Sequence, residues 1–94
     1  MTSAPARRVR VVVRGRVQGV GFRFWTTDTA YSAGLSGWVR NRDDGAVEAE
    51  LEGAPDAVDG VLAALRQGPP LAHVTAVHAV DVPARGGSAF VIER

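Results

Sequence analysis

Apolar residues along this chain repeat with two periods, and the changes of period divide it into short elements. From Val9 to Arg14 valines nearly alternate with arginines, and the β-branched content predicts a first strand. Phe22 to Ala33 has helical spacing, with Phe22, Trp25, Tyr31 and Ala33 as expected apolar contacts and Gly34 as the C-terminal cap. Leu35 to Arg42 predicts a second strand, Asp43-Asp44-Gly45 a turn, and Ala46 to Glu52 a third strand. In that third strand Val47, Ala49 and Leu51 alternate with Glu48, Glu50 and Glu52, which predicts one buried and one solvated face. Pro55 opens a second helix at a position where its missing N–H is not needed, and Asp56 and Asp59 suit the positive end. Val58, Val61, Leu62 and Leu65 form one stripe facing a core. Gly68-Pro69-Pro70 stops this helix. His73 to Val82 predicts a fourth strand, Pro83 to Ser88 a loop, and Ala89 to Glu93 a short final strand.

The order is β-α-β-β-α-β with a terminal strand added. Two crossovers joined by a hairpin predict an α+β ferredoxin-like sandwich, an antiparallel sheet with both helices on one face. Many functions use this fold, so it names none. Ninety-four residues suffice for one core, and the expectation is a single domain over 1–94 with 1–6 as a short flexible tail. The absence of cysteine excludes disulfides and thiolate chemistry. No apolar run approaches the roughly 20 residues of a membrane helix, and Met1 to Ala6 lacks a signal-peptide stretch, so no membrane partner and a cytoplasmic location are expected. A net charge of +1 argues against a protein that wraps nucleic acid electrostatically. No long apolar face is left unassigned, and a monomer is expected.

Charge is unevenly placed. All eleven basic residues are arginine, and Arg7, Arg8, Arg10, Arg14, Arg16 and Arg23 precede the first acid, Asp28. The middle of the chain is acidic: Asp43, Asp44, Glu48, Glu50, Glu52, Asp56 and Asp59. This asymmetry is what an anionic ligand near the N-terminal half would require. Arg7, Arg8 and Arg10 also read as a solvated strand face balanced by an acidic neighbour strand, and Glu48, Glu50 and Glu52 as its solvated counterpart.

Between the first strand and first helix lies Gly15-Arg16-Val17-Gln18-Gly19-Val20-Gly21-Phe22-Arg23. Glycines there let successive N–H groups turn toward one point, and the following helix adds its unpaired N–H groups and positive dipole end. A cation such as Arg23 in a first helical turn is disfavoured by the dipole unless an anion lies between them. Its planar fork matches two phosphate oxygens. No Gly-Lys-Ser/Thr follows, so the segment is not a Walker loop, and the dinucleotide fingerprint also fails. A tight turn beside a surface arginine remains the competing reading. The second segment is Gly37-Trp38-Val39-Arg40-Asn41, where alternation puts Trp38 and Arg40 on one face and Val39 and Asn41 on the other. By itself Asn41 equally reads as a strand end.

Together the two segments resemble the acylphosphatase family. The first fits that family's G-x-V-Q-G-V-x-F-R signature, and Gly37 to Gly53 fits its G-W-V-x-N pattern and the glycines and valine after it, at Asn41, Gly45, Val47 and Gly53. The resemblance extends over nearly the whole chain, to the ending Phe90 to Arg94. It implies metal-independent hydrolysis of carboxyl phosphates without a cofactor. It also implies that phosphate is held by Gln18, Gly19, Val20, Gly21, Phe22 and Arg23, and that Asn41 positions the attacking water. Many members carry threonine after the asparagine; here it is Arg42, which leaves the support of Asn41 to another group.

Other residues point elsewhere less well. His73 and His78 have no cysteine or carboxylate at metal-ligand spacing and read as structural or surface residues. Trp25 and Trp38 read as packing residues. A ferredoxin-like sheet with basic strands suits single-stranded RNA, but the usual aromatic platform is missing. The N-terminal domain of hydrogenase-maturation carbamoyltransferases also resembles acylphosphatases, in a much larger chain. The expected partner is therefore a small-molecule acyl phosphate.

Overall fold

The computed structural model describes residues 5–93, so 1–4 of the expected tail and the closing Arg94 lie outside the described residues. In chain order the elements are β1 (Arg7–Arg16), α1 (Phe22–Ser32), β2 (Ser36–Asn41), β3 (Val47–Gly53), α2 (Pro55–Gln67), β4 (His73–Val82) and β5 (Phe90–Ile92). The sheet order is β4-β1-β3-β2-β5, with the four longer strands antiparallel wherever they pair with one another, as expected of the ferredoxin-like sandwich. β1 is longer than its run of valines because it is paired on both sides, from Arg7 opposite Gly53 to Arg16 opposite His73. β5 joins parallel to β2, which makes the sheet mixed. The reason is directional: β4 and β2 run in opposite senses, so a chain that leaves β4 and turns across the sheet end comes back running with β2.

The apolar face of the sheet supplies Val9, Val11 and Val13 from β1, Val39 from β2, and Val47, Ala49 and Leu51 from β3. Against it pack Phe22 and Ala30 of α1 and Val58, Val61 and Leu65 of α2. The α2 stripe is the one read from its spacing, with Leu62 at the margin. In α1 the buried stripe is Phe22, Thr26 and Ala30, flanked by Trp25 and Ala33. Tyr31, expected in the core, is 79% exposed. It lies nine residues after Phe22, two and a half turns at 3.6 residues per turn, and so points to the opposite side. The helix ends as anticipated around Gly34, whose N–H donates to the Tyr31 carbonyl at 3.0 Å while Leu35 N–H donates to Ala30 at 2.9 Å.

The other sheet face overturns a second expectation. Glu48, Glu50 and Glu52 are buried, at 6%, 1% and 5% exposure, and so is Arg8 at 4%. The alternation is right, but guanidinium groups and not water cover the carboxylates. Arg8 donates to Glu50 at 2.6 Å and to Glu52 at 3.0 Å, Arg10 donates to Glu50 at 2.8 Å, and Arg40 donates to Glu48 at 2.7 Å. Glu52 also accepts the main-chain N–H groups of Arg85 and Gly86 at 2.7 and 2.8 Å, which ties the β4–β5 connection to the sheet. Burial alone would push the Glu50 carboxyl up, but hydrogen bonds from Arg8 and then Arg10 outweigh it and hold the group below its ordinary range.

Breaking such a layer from one side leaves an uncompensated buried charge. Arg8→Ala should destabilise the domain by about 3 kcal/mol. In a domain of this size that lowers the thermal midpoint by roughly 12–24 °C. A midpoint within about 4 °C of wild type, followed by circular dichroism, would show that the layer contributes little.

Candidate active site

After β1 the chain turns through residues 17–21 and enters α1. Gly19 and Gly21 have φ of +74° and +78°, left-handed backbone that side-chain-bearing residues rarely adopt. A Cβ at either would meet nothing within 4 Å, so the turn itself and not crowding requires glycine. Gly21 is the N-cap residue and has no side chain to satisfy the helix end. The first helical bond runs from Trp25 N–H to the Gly21 carbonyl at 3.0 Å. The N–H groups of Phe22, Arg23 and Phe24 therefore have no partner within the helix, and no acid lies in the first turn.

Arg23 projects from that turn and is half-buried. Arg7, Arg8, Arg10, Arg14, Arg40 and Arg42 each pair with a carboxylate, whereas among the described residues Arg23 pairs with none. Asn41 closes β2 on the side shared with Val39, which faces the helices. Its Oδ1 is buried without a hydrogen-bond partner. Leaving such an acceptor unsatisfied costs about 1–3 kcal/mol, so an unpartnered carboxamide oxygen next to a cavity is a place for a water molecule.

A cavity of about 90 Å³ joins these groups, lined by Val17, Gly19, Gly21, Phe22, Arg23, Phe24 and Asn41. Five of the residues anticipated for the site thus meet around one space. Gln18 and Val20 do not line it. The Gln18 side chain donates to the carbonyls of Arg42 and Ala46 at 2.8 and 3.0 Å, clasping the loop to the β2–β3 hairpin. Val20 packs against the core. Val17 and Phe24 were not anticipated. Val17 is hidden by its position inside a glycine-rich segment; Phe24 had a legible signal, an aromatic residue on the polar side of its helix.

Arg42, where threonine is common, supports the hairpin in another way. Its N–H donates to the Ala46 carbonyl at 2.8 Å, and its guanidinium meets Asp44 at 3.1 Å. The Asp44 carboxyl is lowered to about 2, first by the N–H of Ala46, then by Arg42, against an opposing effect of burial. A carboxyl lowered on folding stabilises fully above its unfolded value, and that contribution disappears as pH falls through about 2. Asp44→Asn should accordingly flatten the acid limb of the stability curve between about pH 4 and pH 2. Urea midpoints at pH 5 and pH 2.5 that drop equally in wild type and variant would refute this.

A wider concavity of about 530 Å³ adjoins through Asn41 and is lined by Arg40, Arg42, Asp43 and Asp44. Its charges are largely committed to one another and to Glu48. The smaller cavity is where donors without partners converge, and such an arrangement suits a compact dianion beside an ordered water.

A small α+β sandwich that turns a glycine loop, a helix end and a lone arginine toward a carboxamide defines a class of anion-handling protein. The acylphosphatase family model matches residues 9–92. An acylphosphatase of Nitrobacter hamburgensis is 53% identical over 75 residues, covering 80% of this chain and 76% of that protein. Among solved structures, the acylphosphatase of Bacillus subtilis superposes with a TM-score of 0.89 at 38% identity, covering 94% of this chain and 99% of that one. That of Coxiella burnetii gives 0.91 at 33% identity, covering 94% and 93%. The chain belongs to the acylphosphatase family.

Proposed function

We propose that this protein hydrolyses acyl phosphates, R–CO–OPO₃²⁻, with Arg23 and the 18–23 loop holding the phosphoryl group and Asn41 holding the attacking water. The observation that carries this division of roles is the pairing, across one cavity, of an arginine and a buried carboxamide oxygen that have, among the described residues, no carboxylate partner and no donor respectively. The main-chain N–H groups at the start of α1 and the Arg23 fork face the three equatorial oxygens. Charge spreads over those oxygens in a loose transition state. The phosphorus–oxygen bond to the acyl group breaks as the water oxygen bonds to phosphorus. The bonding pair leaves on the carboxylate, a weak base that needs no proton. The water's protons are shared between phosphate and solvent, giving R–COO⁻, HPO₄²⁻ and H⁺. No side chain has to act as a strong acid, and an amide, which is not a useful base, suffices to aim the water.

In the same reading 1–94 is one domain acting as a cytoplasmic monomer on a diffusible substrate, without cofactor or metal and with no nucleic acid or membrane partner. Support comes from the open sheet face, filled by paired arginines and glutamates and not by an aromatic platform. Among the described residues no helix is long and apolar enough to cross a membrane. A single turnover of benzoyl phosphate in oxygen-18 water, with chelator present, tests the chemistry. The label is expected in phosphate at an unchanged rate. Label in benzoate would mean attack at carbon and overturn the role of the cradle.

A further inference from the structure

In the mechanism above, phosphate and water are held by different parts of the chain. The cradle belongs to the loop that enters α1, and Asn41 closes β2. In-line attack depends on the spacing between them, and a misplacement of about 1 Å can cost about a hundredfold in rate. The Asn41 side chain does not fix that spacing by its oxygen, since Oδ1 has no hydrogen-bond partner among the described residues. The next residue is Arg42, whose guanidinium is spent on Asp44 and Glu48 and not on the carboxamide.

One side chain spans the two parts. Gln18 immediately precedes Gly19, which lines the cavity, and Arg42 immediately follows Asn41, which lines it from the other side. Gln18 Nε2 donates to the Arg42 carbonyl at 2.8 Å and to the Ala46 carbonyl at 3.0 Å. These two residues form the mouth of the hairpin, where Arg42 N–H donates to that same Ala46 carbonyl at 2.8 Å. A primary amide has two N–H donors, so both are engaged and neither is left for a phosphate oxygen. Its own oxygen is an acceptor and offers a dianion nothing. The family resemblance puts Gln18 among the phosphate ligands; its bonds give it a different task. We propose that Gln18 is a positioning residue, whose amide, bonded to the Arg42 and Ala46 carbonyls, sets the distance between Asn41 and the phosphate cradle and acts on the reaction only through Asn41.

This rests on the water-holding reading of Asn41 given above and names the group that supports it where threonine is absent. Misplacing the water leaves the donors that grip phosphate intact, so the loss falls on kcat and spares phosphate affinity.

The test is a double-mutant cycle read with benzoyl phosphate as substrate and inorganic phosphate as inhibitor. Gln18→Met keeps the length of the side chain and removes both donors. Its kcat should fall by about 10- to 100-fold, while the phosphate inhibition constant moves less than about threefold. In an Asn41→Ala background the same change should cost less than about twofold more, because the residue it acts through is already gone. Gln18→Asn, which keeps the amide but shortens its reach by one methylene, should lie between wild type and Gln18→Met, and it serves as the second variant should the methionine protein fail to fold. A full further loss of kcat in the double variant, phosphate affinity that weakens in step with kcat, or wild-type kcat in the Gln18 variants would each overturn the proposal while leaving Asn41 its role. Wild-type kcat in Asn41→Ala would remove that role, and the positioning with it.

Discussion

Arg23→Ala should lose about three to five orders of magnitude in kcat/KM, the range seen when a transition-state arginine is removed from phosphoryl-transfer sites. The size follows from the surroundings. Among the described residues no other cationic side chain lines the cavity, and no carboxylate there competes for the guanidinium. Inhibition by inorganic phosphate should weaken in parallel, because the same fork grips the ground-state dianion. Arg23→Lys should recover little, since an ammonium is a point charge and cannot engage two oxygens in one plane. Steady-state rates with benzoyl phosphate decide the matter; a lysine variant within about tenfold of wild type would mean that charge suffices and the fork does not matter.

Asn41→Ala is expected to separate affinity from rate. Its carboxamide lies across the cavity from the helix end and, in the mechanism above, touches water and not phosphate. kcat should fall by about 10²–10³, the effect of removing one oriented polar group from a transition state. The inhibition constant of inorganic phosphate should move less than about threefold, because the donors that bind the dianion are untouched. Asn41→Asp should be worse than alanine for phosphate binding, as it sets a carboxylate against the anion. Equal losses of phosphate affinity in the Arg23 and Asn41 variants would collapse the two roles into one.

Much of this architecture was legible because local signals agree with the tertiary result. β4 has the bounds read from sequence, since its apolar run is fenced by Pro69-Pro70 before it and Pro83 after it. α2 carries a start, a stripe and a stop that all name the same helix. What sequence concealed depends on partners distant along the chain. A period of two says that Glu48, Glu50 and Glu52 share a face, but not that Arg8, Arg10 and Arg40 will lie over them. Tyr31 has the residue type of a core position, but its angle around the helix turns it to solvent. At the site, the glycine loop was legible from the residues that left-handed turns require, whereas Asn41, which by itself equally reads as a strand end, was singled out only by the resemblance to the acylphosphatase family. The clasp made by Gln18 could not, as it needs the hairpin carbonyls of Arg42 and Ala46 brought alongside.

The position of β1 between β3 and β4 has a consequence for how the chain is made. Val11 lies opposite Ala79, 68 residues later in synthesis. At ribosomal speeds of about 5–20 residues per second, the valines of β1 wait roughly 3 to 14 s for that neighbour to be translated. The nascent N-terminal half must stay unaggregated over this interval with one edge of β1 unpaired, and the arginines interleaved with those valines give it a repulsive charge while it does.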